Sequence, residues 1–149
     1  SMRAIGPPLT AEESAAFIAA ARSCVNRVKF RHMGRDPKTG MDCAGLAQWA
    51  AQQVGRPVWD IPAYGTQPHR DGLRQAMVNN MGNPVPLESM RPGDVVLMKF
   101  EGEPKHVGII GDYPGGLLSL IHTYGTIKRV TEHRLDAMWR GMIVEVFRP

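Results

Sequence analysis

Apolar residues return every three or four positions along the first half of this chain, and the interval shortens in the second. In "LTAEESAAFIAAARSCV" the residues Phe17, Ile18, Ala21, Cys24 and Val25 fall on one stripe. Thr10 and Glu13 have the spacing of a capping box, which predicts a first helix over roughly 11–25. Residues 42–54 carry a second stripe of Leu46, Trp49, Ala50 and Val54, with Gly55 and Pro57 behind it as stop signals. A third helix is predicted over 70–81, ended by Gly82. The segments between them, "KFRHMGRDPKTGM" and "RPVWDIPAYGTQPH", are rich in Gly, Pro and polar residues. They read as irregular surface loops, the usual carriers of binding groups.

From residue 91 the pattern becomes that of strands. In "RPGDVVLMKF" Pro92 and Gly93 fit a type II turn, and the run behind them fits a buried strand. "HVGIIGDYPGGLLSLIHTYG" reads as two strands around a Gly/Pro loop, "TIKRV" as a third, "EHRLDAMWRG" as a short helix or turn, and "MIVEVFRP" as a closing strand. Helices followed by an antiparallel sheet predict the α+β class, with 1–149 as one domain free of repeats and linkers.

Composition narrows the picture modestly. A chain of 149 residues with 43% apolar content can bury one core, and no stretch approaches the roughly 18 apolar residues of a membrane span. Ser1 before Met2 reads as a residue left by tag removal, so Met2 is the expected natural start and a preceding export signal stays open. Eighteen Lys and Arg against fourteen Asp and Glu give a net charge of +4, rich in arginine, which suits an acidic polymer as partner. The basic residues are scattered and aromatics are few, which argues against nucleic acid. Two cysteines supply neither a disulfide framework nor a CxxC metal motif.

The two cysteines differ in setting. Cys24 lies on the apolar stripe of the first helix and behaves there as a small hydrophobe. Cys43 follows Asp42, a fitting N-cap, at the first position of the second helix, where backbone amides and the macrodipole favour a thiolate. Gly45, inside that first turn, costs about 1 kcal/mol relative to alanine and marks a place where chain or ligand comes close. A nucleophilic cysteine needs a base, commonly a histidine held by a third polar group. If residues 112–116 form the hairpin loop, Gly111 pairs with Leu117 and His106 stands directly opposite His122 on one face, close enough for one imidazole to orient the other. Gly108, next on that face, is expected to leave room for the helix terminus and its sulfur. His32, His69 and His133 fall in loops or at element ends and are read as solvated, His32 being the one nearest the reactive-looking segment.

In this order and spacing, "MDCAGL", "RPGDVVLMKF", "KHVGII" and "IHTYG" resemble the NlpC family of papain-like peptidases, which cut bacterial peptidoglycan. "KFRHMGRDPKTGMDCAGL", "HTYGTIKRVTEHRL" and "EVFRP" further resemble the members encoded in phage and gene-transfer-agent tail modules. The resemblance implies a nucleophile at a helix N-terminus packed against an antiparallel sheet, with Cys43 as nucleophile, His106 as base and His122 as the orienting residue. It departs from many bacterial members at Phe30, where they carry a tyrosine hydroxyl. Oxyanion stabilisation then falls to the Cys43 amide and a neighbour, His32 or Arg31.

What the resemblance implies for function is hydrolysis of a peptide stem of peptidoglycan, most often between D-Glu and the diamino acid, through a thioester and without metal or cofactor. The carboxylate-rich stem suits Arg31, Arg35 and Lys38, while Phe30, His32, Trp59 and Tyr64 are further candidates for lining the groove. Tail-tip proteins are the implied partners, and a virion tail or the bacterial periplasm and cell wall the implied location. Two rival readings stand beside it: a papain-like amidase or acyltransferase acting on another bond, and a structural tail component with reduced catalysis.

Overall fold

Thr10 closes the first helical turn from both sides. Its hydroxyl accepts from the Glu13 amide at 3.1 Å, and the Glu13 carboxylate accepts from the Thr10 amide at 2.9 Å. Such a cap is worth about 1 kcal/mol. It opens α1 (Ala11–Arg22) in the computed structural model, which describes residues 6–56, 72–100 and 103–149. α1 ends three residues earlier than its stripe suggests, because the chain turns through 23–28 with Asn26 at φ 64°. Cys24 and Val28 remain buried in that turn.

The loop predicted after α1 contains a two-residue hairpin, β1 (Arg35–Asp36) and β2 (Gly40–Met41), too short and too polar to leave a period. α2 spans Cys43–Gln53 with Asp42 as N-cap, as its stripe predicts. α3 spans Gly72–Met81 and buries Leu73, Ala76, Met77 and Met81.

Gly93, at φ 95°, takes the left-handed position of the predicted type II turn and leads into β3 (Val95–Phe100). β4 (Glu103–Tyr113), β5 (Leu117–His122), β6 (Thr131–Arg134), the short α4 (Ala137–Arg140) and β7 (Ile143–Phe147) follow. The "TIKRV" strand is not formed. Residues 126–130 are a connection with Lys128 at φ 65° and a single bridge from Arg129 to Lys29, and the strand begins only at Thr131. The segment read as a short helix or turn therefore divides into β6 and α4.

The sheet is antiparallel in the order β6-β5-β4-β3-β7. Both its faces are covered, which is why "VVLM" reads as an uninterrupted apolar run. One face presents Val95, Leu97, Val107, Ile109, Ile121 and Phe147 to the helices. The other packs Val96, Met98, Ile110, Leu120 and Val146 with Leu135 and Trp139. The α+β architecture is as the sequence predicts.

Candidate active site

Asp42 organises the segment that delivers Cys43. One carboxylate oxygen accepts from the Gly45 amide at 2.8 Å and from the Arg35 guanidinium at 2.7 Å, and the other accepts from the Met33 amide at 3.0 Å. The N-cap residue thus fastens the β1–β2 hairpin to the head of α2. Gly45 is required by the same contact, since a Cβ there would lie 2.1 Å from the Gly34 carbonyl oxygen. The close approach expected at Gly45 is made by this chain's own backbone.

Cys43 belongs to the same buried cluster as Val107, the residue after His106, and α2 packs on β4. The strip 28–30 ties the cysteine segment to the connection between β5 and β6. Phe30 bridges to Met41 and donates its amide to the Lys128 carbonyl at 2.7 Å, while Lys29 bridges to Arg129. A Cβ on Gly125 would stand 3.7 Å from the Phe30 ring. The preceding Tyr124 has its ring centroid 5.3 Å from that of His122.

His106 and His122 are both fully buried and on the same face of the sheet, with Nε2 of His106 2.8 Å from Nδ1 of His122. They do not stand directly opposite each other. Gly111 pairs with Ser119 and Tyr113 with Leu117, so the hairpin loop is Pro114–Gly116 and the register differs by two from the one expected. Continued along the strands, this register puts Gly108 opposite His122 and His106 on the diagonal, where rings still meet. A slip of two preserves the face, whereas a slip of one inverts it. Gly108 does not make room for the helix terminus; a Cβ there would lie 2.4 Å from Leu120 Cδ1, so the glycine admits Leu120.

A third ring joins them. His133, read from the sequence as solvated, lies in β6 with its Nε2 2.8 Å from Nε2 of His122 and its Nδ1 2.9 Å from the Arg134 carbonyl oxygen. It occupies the next diagonal, since Leu120 pairs with His133 and His122 with Thr131. The three rings thus form one line across β4, β5 and β6. Phe100 packs on His106 at 4.7 Å, and Trp139 lies 5.0 Å from His122 and 4.7 Å from His133. Burial, reinforced by the repulsion a proton on His122 would feel from its imidazole neighbours His106 and His133, pushes the His122 pKa down to about 2, so this ring stays neutral.

The sequence model of the NlpC/P60 family matches residues 27–148, a span holding Cys43 and all three aligned histidines. The chain belongs to the NlpC/P60 family. A "Probable endopeptidase" of Mycobacterium tuberculosis is 39% identical over 92 residues, which cover 61% of this chain and 19% of that protein. The chain therefore spans about a fifth of the length of that relative. Among solved structures, an NLP/P60 protein similar to lipoprotein from Staphylococcus aureus has a TM-score of 0.66 at 17% identity, covering 95% of this chain and 43% of that one. Ly7917, solved with "the hydrolyzing product of MDP", has a TM-score of 0.58 at 20% identity, covering 94% of this chain and 63% of that one. These likenesses establish the NlpC/P60 fold.

The remaining candidates in this NlpC/P60 chain scatter. Arg31 and His32 are exposed beside Phe30, which is half-buried. Arg35 is bound to Asp42 and Gly34 rather than presented to a ligand. Trp59 and Tyr64 lie outside the described residues, as does His69. Cys24 is buried, its sulfur 3.7 Å from the Ala20 carbonyl oxygen, and burial pushes its thiol up, in keeping with a packing role. Sequence reasoning missed His133, Tyr124, Trp139 and Phe100. A strand placed at 131–134 beside β5 is the signal that finds His133. The aromatics have none, because nothing local distinguishes a ring against imidazole from one in a core.

Proposed function

We propose that this chain is a cysteine endopeptidase that cuts the peptide stems of bacterial peptidoglycan between D-Glu and the diamino acid, working as a tail-associated enzyme at the cell wall. The observation that carries the reading is the buried 2.8 Å contact between His106 Nε2 and His122 Nδ1, with His106 next to Val107, which shares a buried cluster with Cys43. Because His122 occupies Nε2 of His106, Nδ1 is the nitrogen that serves the cysteine. The name of the mycobacterial relative, a probable endopeptidase, supports the endopeptidase part of the reading.

In the proposed reaction His106 Nδ1 takes the proton of Cys43, and the sulfur adds to the stem carbonyl carbon. The oxyanion is held by the amide of Cys43 at the head of α2. His106 returns the proton to the leaving nitrogen, the C–N bond breaks, and a thioester remains. Water then adds to the thioester with His106 accepting its proton, and the thiol departs reprotonated. Arg31, His32 and Lys38, exposed on the segment before Cys43, are the groups offered to stem carboxylates. Arg35 is not among them, being committed to Asp42.

The test is release of soluble stem fragments from purified sacculi under reducing conditions, analysed by mass spectrometry. Wild-type protein is expected to release stem peptides that begin with the diamino acid, leaving D-Glu as the end of the sugar-linked stump, and Cys43→Ala to release none while melting normally. No release by wild type sinks the reading, and fragments cut between sugar and peptide replace it with an amidase.

A further inference from the structure

The direction of the hydrogen bonds along the three histidines is fixed at the outer end. A carbonyl oxygen only accepts, so the contact from His133 Nδ1 to the Arg134 carbonyl requires a proton on that nitrogen. The same carbonyl also accepts from the Asp136 amide at 3.1 Å, which occupies its second lone pair. A neutral His133 then presents a lone pair at Nε2, and the 2.8 Å contact to His122 Nε2 needs its proton from His122. With its single proton at Nε2, His122 offers a lone pair at Nδ1, so the 2.8 Å contact to His106 is donated by His106 Nε2. A neutral His106 protonated there carries its lone pair on Nδ1. Each N···N contact holds one proton, and no other assignment of three neutral rings satisfies all three contacts.

We propose that His133 is a positioning residue for the reaction: anchored by the Arg134 carbonyl, it sets the tautomer of His122 and, through it, that of His106, so that the basic nitrogen of His106 is Nδ1. Both nitrogens of the ring are committed, which gives the chain of contacts its direction. These contacts are made at 2.8 and 2.9 Å while the ring is held against Trp139, whose own amide is tied to the Asp136 carboxylate at 3.0 Å. The low proton affinity of His122 agrees with a neutral central ring. The catalytic half of this inference rests on His106 acting as the base; the tautomer half does not.

Long-range proton–nitrogen NMR correlation on the ¹⁵N-labelled protein at neutral pH reads the tautomers directly. The expected spectrum has His133 protonated at Nδ1 and both His122 and His106 at Nε2. His133→Phe keeps a ring of similar shape without the acceptor, and is expected to leave His122 and His106 as tautomer mixtures. Its kcat should fall about tenfold to a hundredfold, a fraction of what general-base catalysis contributes, with KM within about twofold. His133→Gln restores an acceptor oxygen and should restore both fixed tautomers and most of kcat. A wild-type His133 protonated at Nε2, or unchanged inner tautomers in His133→Phe, overturns the proposal. The wild-type spectrum decides this even if the phenylalanine variant fails to fold. Tautomers that mix as expected while kcat holds confirm the relay and overturn His106 as the base.

Discussion

The Arg35 guanidinium donates to the buried Asp42 carboxylate at 2.7 Å, on the oxygen that also caps α2 at the Gly45 amide. The pair joins a hairpin to a helix terminus, so breaking it leaves a buried charge and loosens the turn that presents Cys43. Arg35→Met is expected to cost about 1–3 kcal/mol in urea denaturation, the penalty for an uncompensated buried polar group. Asp42→Asn should cost a similar amount, and the double variant much less than their sum. Additive costs argue that the two side chains do not support each other.

Gly45→Ala sets two effects against each other. Alanine gains about 1 kcal/mol of helix propensity, but its Cβ meets the Gly34 carbonyl oxygen at 2.1 Å, which is backbone and cannot swing aside. Strain of about 1–3 kcal/mol is expected to win. A lowered melting temperature is the predicted outcome, and a raised melting temperature contradicts it.

His122 makes the fold acid-sensitive. Its folded pKa lies near 2, below the ordinary value of 6.5, so the unfolded chain takes up a proton that the native ring refuses. The stability is complete above pH 6.5 and declines as pH falls below it, by up to about 1.4 kcal/mol per pH unit for one group. Carboxylates join only at lower pH. Burial raises Glu132, yet hydrogen bonds from Arg22 and Ser119 outweigh it and hold it below its usual value, and Arg22 likewise holds Asp112 down. Urea midpoints from pH 7.5 to 5 should therefore fall more steeply for wild type than for His122→Asn. Parallel lines contradict the assignment.

Cys24→Ala tests the other thiol. The side chain is 2% exposed, and its loss should cost about 1–2 kcal/mol, the scale of a small core truncation. Activity on sacculi should be unchanged, and iodoacetamide should reach Cys24 only in denaturant. A large loss of kcat with the fold intact assigns it a role beyond packing.

The helices and the buried strands were legible because their apolar positions repeat with clean periods. The capping box at Thr10, the cap at Asp42 and the turn at Gly93 are local chemistry, and each stands where its residues placed it. What escaped the sequence is non-local. The hairpin loop proved shorter than expected, which moved the register by two, and the pairing of His106 with His122 survived only because side chains alternate with period two. The β1–β2 hairpin left no pattern, since its strands are two residues long. His133 was read as solvated because β6 was displaced by one segment, and a four-residue strand carries too little alternation to correct that. Arg35 looked like a ligand for substrate carboxylates, and only the folded chain reveals that its carboxylate is Asp42.

β6 forms one rim of the sheet, four residues long and with β5 as its partner strand. Outer strands of this size fray before the centre does, so the last ring of the relay rides on the part of the sheet that unzips first. Each fraying event detaches His133 while β4 and β5 stay whole, leaving a native-looking molecule without the His133–His122 contact. Amide hydrogen exchange along 131–134 therefore measures the share of molecules in which the line of three rings is complete.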